Sequence, residues 1–409
     1  MLHLLRSLAP NQRVAVIASY LGWTLDAFDF SILTFVLKDV AKDFGFGSNL
    51  IPVSWAFTFT LAARPIGALL AGLAADRYGR KVTLTVVILL FSVFGPASGL
   101  APSLTIFLIL RLLFGVAMGG EWGVGAALAM ETVPAQARGL VSGILQSGYA
   151  SGFLLAAITN AVLSGHWRGM FMAGALPALV LVLYIYWKVE ESPAFLIRAG
   201  RQAASASTSP PRNAGLRAYA GLLYAVPLMT AFNVLSHGTQ DLYPAFLQVQ
   251  RLFPELTVSL IVGVYFAGAI LGGLLFGALS QPIGRRWAIV IAALMVLPLI
   301  PFWAYGTGPV ILCAGAFFMG FAVQGAWGVV PAHLNELSPA ALRGTFPGVA
   351  YQLGNLLASP TASIQAYIAQ SNGGNYAFAL ATVAATAAVT LAALIVFGKE
   401  AHGVDFKAG

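Results

Sequence analysis

The sequence predicts an all-α integral membrane protein: twelve transmembrane helices in two parallel six-helix halves, with both termini cytoplasmic. Three observations lead there. Of 409 residues, 59% are hydrophobic and 9% charged, with mean hydropathy +0.83, whereas soluble domains carry about 25% charged residues. The apolar residues gather in twelve stretches near 14–36, 50–73, 82–101, 104–130, 140–163, 169–188, 218–247, 256–279, 287–306, 309–334, 345–369 and 376–398. Each approaches the ~20 residues a helix needs to cross a ~30 Å hydrocarbon core. The second half of the chain also repeats the first at a fixed offset. So little charge cannot cover a water-facing surface, which excludes a soluble enzyme, a nucleic-acid-binding protein and a secreted disulfide scaffold.

Taking the spans in order fixes the orientation. With both termini on the cytoplasmic side, sixteen of the 22 Lys and Arg fall in cytoplasmic segments and four in outer loops, and Arg64 and Arg111 lie inside spans. That bias obeys the positive-inside rule. The net charge of +8 is therefore a record of topology and calls for no nucleic-acid partner. The lead sequence Met1–Arg13 has no small-residue cleavage site, so the first span is expected to stay in the mature protein. A single cysteine, Cys313, offers neither a disulfide nor a metal cluster and reads as a packing residue.

The loop after the second span reads GLAADRYGRK (Gly72 to Lys81), and the loop after the eighth reads GALSQPIGRR (Gly277 to Arg286). One shift of 205 carries Gly72, Gly79 and Arg80 onto Gly277, Gly284 and Arg285. Without a gap it also carries Gly120, Trp122, Glu131 and Arg138 onto Gly325, Trp327, Glu336 and Arg343. Six spans per half make the halves parallel, related by an axis along the membrane normal and enclosing one central cavity. The domains read as 1–188 and 218–409, joined by a cytoplasmic linker, 189–217, whose Ser205, Ser207, Ser209, Pro210 and Pro211 predict flexibility.

The run Gly72-x3-Asp76-Arg77-x-Gly79-Arg80-Lys81, with its degenerate second copy, resembles the loop motif of the major facilitator superfamily over the whole chain. The resemblance implies that fold, alternating access, and a gating latch formed by Asp76, Arg77, Arg80, Glu131 and Arg138. Gln281 replaces Asp76 in the copy, so the second latch is expected to be weaker or differently built.

Ionisable residues inside spans point to function. The seventh span is the densest, with Asn233, His237 and Gln240 at i, i+4 and i+7 on one face, flanked by Ser236 and Asp241. Such a stripe lines water or substrate, or joins helices. The pattern Asn233, Ser236, His237, Thr239, Gln240, Asp241 resembles the seventh-helix motif of lactate/pyruvate:proton symporters, relatives of the sialate:proton symporters, with Ala245 departing from it downstream. The resemblance implies a small organic anion and a proton as cargo, no other cofactor, and a bacterial inner (plasma) membrane. A monomer in the lipid bilayer is expected.

In the first span, Asp26 and Asp29 stand at i and i+3. Two carboxyls this close in a low dielectric can share a proton, so Asp26, Asp29, Asp241 and His237 are the proton-coupling candidates. A structural acid paired with Arg64 or Arg111 is the alternative. Arg111 is the expected anion anchor, because guanidinium meets carboxylate through two parallel hydrogen bonds. Arg64 and Glu121 read as structural. Gln146 and Tyr149 in the fifth span, with Tyr351, Gln352 and Asn355 in the eleventh, are expected to set substrate size.

Arg64 to Gly67 and GGEWG (Gly119 to Gly123) are shared with the metabolite:proton symporters, which leaves another organic acid, sialate included, as an alternative cargo. The Glu191-Ser192-Pro193 run is a broken echo of sugar porters, and Gly148 to Gly152 lacks the proline of drug antiporters. A transporter-like nutrient sensor would carry a long signalling tail, and about ten residues follow Lys399. No His/Glu pair has metal-ligand spacing, so an intramembrane enzyme lacks support.

Overall fold

The computed structural model describes residues 8–47, 51–163, 165–204 and 214–406. The first seven residues of the lead sequence and the centre of the linker, 205–213, lie outside the described residues, as do the side chains of 201–204 and 214–219.

In hydrocarbon every backbone N–H and C=O needs a partner within its own segment, so apolar stretches of this length become helices. They are α1 Pro10–Asp43, α2 Ile51–Tyr78, α3 Arg80–Gly99, α4 Leu104–Thr132, α5 Arg138–Val162 and α6 Trp167–Lys188 in the first half. The second half holds α7 Ala214–Gln240, α8 Glu255–Ile283, α9 Arg285–Ala304, α10 Pro309–Leu337, α11 Phe346–Ser371 and α12 Tyr376–Phe397. Among the described residues, eleven of these are long and apolar enough to cross a membrane. The exception is α11, expected as one span. It breaks at Ser359 and Pro360 into pieces of 13 and 11 residues, because Pro360 lacks an N–H and its ring crowds the preceding turn.

Two further breaks bear on the site. After Gln240, α7 turns at Asp241 and Leu242, then resumes as a short helix, Tyr243–Ala245, and a π turn, Phe246–Gln250. In α10 the helix stops at Trp327 and restarts at Val330. Broken helices at membrane depth persist where they face protein or a cavity rather than lipid. The linker is also more ordered than its composition suggests, since Pro193–Ala204 is helical.

Packing follows the repeat. Within the halves α2 lies on α4 and α8 on α10, and α1 lies on α5 and α7 on α11. Across the halves, α2 meets α11 and α5 meets α8, as a two-fold relation demands. The α5–α8 seam needs glycine. A methyl group on Gly139 or Gly143 would meet the backbone of Gly277 or Gly273, so only small residues permit this approach.

Candidate functional site

Between the halves lies a cavity of about 70 Å³ bordered by Arg64 of α2, Gln146 and Tyr149 of α5, the α7 stripe, Gln324 and Trp327 of α10, and Tyr351 and Asn355 of α11. The stripe is present as the i, i+4, i+7 spacing predicts: Asn233, Ser236, His237 and Gln240 all face it. His237 joins two helices, with Nδ1 3.0 Å from Asp241 Oδ2 and Nε2 3.0 Å from Asn355 Oδ1. Asn233 donates to the Met229 carbonyl at 2.7 Å, and Gln240 donates to the Ser236 hydroxyl at 3.2 Å.

Four aromatic rings close the cavity on one side. Tyr351 packs against Trp122, Trp327 and Trp23 at centroid distances of 4.7, 5.5 and 6.5 Å. Trp122 and Trp327 are mates in the repeat, each eighteen residues into its helix, which puts them ~27 Å from its start. Trp122 also donates to Gln146 Oε1 at 3.3 Å. On the opposite side, Phe30, Leu61, Tyr149, His237 and Gln240 also border a second chamber of about 360 Å³, reached past Asp241 and Tyr265. There Phe153 of α5 stacks on Phe266 of α8 at 4.7 Å, ring to ring across the halves. The chamber thus adjoins the cavity on the side away from the charged loops, sharing those five residues with it.

Arg111 is not in this cavity. Its Nη1 lies 3.2 Å from Asp29 Oδ1, its Nε donates to Ser98 at 3.0 Å, and its guanidinium sits 4.3 and 4.8 Å from the Phe114 and Phe171 rings, 1% exposed. Expecting it to be the anion anchor is corrected on geometry: it is spent within the first half. The cation that borders the cavity is Arg64, set aside above as structural. Its guanidinium carbon is 5.8 Å from the Tyr351 ring centroid, and no ion pair holds it among the described residues. Depth was the available signal. Arg64 lies thirteen residues into α2, ~20 Å by the helical rise, near mid-membrane, against ~10 Å for Arg111.

Three further expectations change. Asp26 and Asp29 are divided between partners, Asp29 going to Arg111 while Asp26 is fully buried with neither oxygen bonded among the described residues. Gln352, one position from Tyr351, points away from the cavity and is 1% exposed, because neighbours on a helix are about 100° apart. Asp241 stands in the outer chamber rather than the cavity.

At the charged end, which the positive-inside rule assigns to the cytoplasm, the repeat builds two clusters. Arg80 donates from Nε and Nη2 to Glu131 at 3.0 Å each, and pairs with Asp76 at 3.1 Å. Asp76 reaches across the halves to accept from Gly344 N at 2.9 Å, Thr345 N at 3.0 Å and the Thr345 hydroxyl at 2.7 Å. In the copy, Arg285 binds Glu336 at 2.9 and 3.1 Å and Gln281 at 3.1 Å. Gln281 keeps the arginine contact, but no bond from it to the other half is present among the described residues. Arg138 crosses to Glu336 at 3.6 Å and Arg343 to Glu131 at 3.9 Å. Arg77 is corrected: it is exposed and lies over the Tyr78 ring at 5.3 Å, outside the cluster.

Two elements missed in the sequence complete this end. Ser192 donates to Glu131 and Glu191 accepts from Arg80 N at 2.8 Å, so the broken sugar-porter echo seats the loop motif. Arg198 of the linker helix donates to the Asp76 carbonyl at 2.6 Å and to the Ala340 carbonyl at 2.7 Å, tying the linker to both halves. The tail returns as well: Phe406 is buried between Arg138 and Arg343, 3.5 and 4.0 Å from their guanidinium carbons. No cluster of His, Cys, Asp and Glu able to hold a metal ion occurs among the described residues.

Comparison with known proteins agrees with this architecture. The model of the family described as "Sugar (and other) transporter" matches residues 14–218 and 216–401, once per half. The chain is 32% identical over 359 residues to a probable 4-methylmuconolactone transporter of Cupriavidus pinatubonensis, covering 85% of this chain and 81% of that protein. It is 30% identical over 373 residues to a carboxylic acid transporter protein homolog of Saccharomyces cerevisiae, covering 86% of this chain but only 60% of the longer yeast protein. In three dimensions it matches the proton:xylose symporter XylE of the major facilitator superfamily with TM-score 0.83 at 18% identity, over 97% of this chain and 98% of that one. The chain is thus a multi-pass membrane transporter rather than an enzyme: it has the fold of the major facilitator transporters and belongs to the sugar (and other) transporter family.

Proposed function

We propose that the protein imports a small monocarboxylate such as lactate or pyruvate together with a proton, by alternating access across the plasma membrane. The observation that carries this is Arg64 at the edge of a small cavity, facing the polar stripe of α7. A guanidinium that no ion pair holds among the described residues is able to bind a carboxylate through parallel hydrogen bonds. His237, Asn355, Gln240 and Ser236 then offer partners to the hydroxyl or keto oxygen. A volume of about 70 Å³ suits a few non-hydrogen atoms. A carboxylic acid transporter homolog among the relatives supports the acid class.

The proton follows from energetics. Moving one negative charge inward against a negative-inside potential costs about 2.3 kcal/mol per 100 mV, and a proton carried with it removes that cost. The halves 1–188 and 218–409 would rock about the site while the linker 189–217 spans both. Opening the charged end requires Asp76, Glu131 and Arg138 to release their partners in the other half, while Arg80 keeps Asp76 and Glu131 in place within the first.

Larger organic acids are the second reading, favoured by the adjoining chamber of about 360 Å³. The test is uptake of labelled lactate into proteoliposomes after an imposed pH step, with pyruvate and sialate in the same panel. Faster uptake with an acidic exterior, lost in Arg64→Ala, is the expected result. Uptake indifferent to the pH step overturns the proton coupling, and transport of sialate but not lactate overturns the substrate.

A further inference from the structure

We propose that Asp26 and Glu121 together form one proton-binding site that Arg64 controls, taking up a proton when Arg64 turns to the substrate. This rests on Arg64 as the anion anchor and goes beyond it by assigning the coupling group.

Both side chains are fully buried, 0% exposed, and all four carboxyl oxygens are without a hydrogen-bond partner among the described residues. They come from different helices, α1 and α4. The Glu121 carboxyl packs against Gly22, one turn before Asp26 on α1, where a methyl group would collide with it. Glu121 also lies beside Gly125 of its own helix. Glycine at 22 thus makes room for an acid that nothing else in the fold explains.

The charges acting on the pair are few. Arg64 and Asp29 act on Asp26, and Asp26 and Arg64 act on Glu121. Asp29 is already taken by Arg111 at 3.2 Å. Two carboxyls therefore share one guanidinium. Ionised together they would leave a net negative charge buried in the membrane, which is strongly disfavoured. One proton held between them makes the cluster with Arg64 neutral. When a monocarboxylate binds Arg64, the cation serves the substrate and the remaining carboxylate is left without compensation. A second proton, arriving through the outer chamber, restores neutrality. The balance is one proton per monocarboxylate, released on the cytoplasmic side when the substrate leaves and Arg64 returns.

The pair can be tested with and without substrate. Infrared difference spectra of the reconstituted protein at neutral pH should contain the C=O band of a protonated carboxyl. Asp26→Asn and Glu121→Gln should each remove or shift that band. Its absence in the wild type overturns the pair whatever the substrate is. With lactate, a pH step of one unit sustains about tenfold accumulation through a one-proton symporter. Glu121→Gln should abolish that accumulation, Glu121→Asp should restore part of it, and Asp26→Asn with Glu121→Gln should lose no more than either alone. Proton-driven accumulation surviving in Glu121→Gln overturns the pair while leaving the substrate reading intact. Wild-type protein with the band but no lactate uptake overturns the substrate reading instead.

Discussion

The carboxylate of Asp76, on the last turn of α2, holds the hydroxyl of Thr345 at 2.7 Å and the backbone N–H groups of Gly344 and Thr345 at 2.9 and 3.0 Å, at the entry to α11. One side chain thereby fastens the two halves at their cytoplasmic end. Bonds to a charged group contribute about 1.5–3 kcal/mol each, so losing them should move the closure equilibrium by more than tenfold. In a Cys313→Ser background, a cysteine placed at Ser142, buried between the halves, reports that closure. Asp76→Ala should raise its labelling by an impermeant maleimide from the cytoplasmic face at least about tenfold. Gln281→Ala, whose contact stays inside one half, should change it little.

The two intramembrane arginines separate by assay. Arg64→Ala should weaken substrate binding by about tenfold or more, as expected for losing a charged hydrogen-bond partner. Arg111→Ala strands Asp29 in a dry setting. Breaking a buried pair costs about 3–5 kcal/mol, so its melting temperature should fall first. Equal binding by Arg64→Ala and wild type would return the anchor to an unidentified group.

His237 and Asn355 meet across the cavity at 3.0 Å, so their contributions to binding should not add. A cycle of His237→Ala, Asn355→Ala and the double variant, read by isothermal titration with lactate, should give a coupling of about 0.5–3 kcal/mol. The same cycle between His237 and Arg111 should give no more than about 0.5 kcal/mol.

Phe406 sits between Arg138 and Arg343, which each reach an acid of the opposite half. Cation–π contacts contribute about 0.5–2 kcal/mol, most when desolvated. Phe406→Ala should therefore loosen the same closure, with labelling at position 142 rising about threefold or more. Phe406→Trp should retain it.

Much of this protein was written in one dimension. The twelve stretches, their orientation and the repeat all follow from hydropathy, charge bias and a constant offset, because a bilayer leaves a chain few backbone choices. The α7 stripe was legible for the same reason: a spacing of four and three residues puts side chains on one face wherever the helix goes. Only the folded molecule decided which arginine faces the cavity, how Asp26 and Asp29 divide between partners, where α11 breaks, and that the tail closes over the latches. Those outcomes depend on helix rotation and tilt, and on which neighbour arrives first to satisfy a buried charge. Arg64 and Arg111 have the same chemistry and similar surroundings in sequence, yet Asp29 reaches one and not the other.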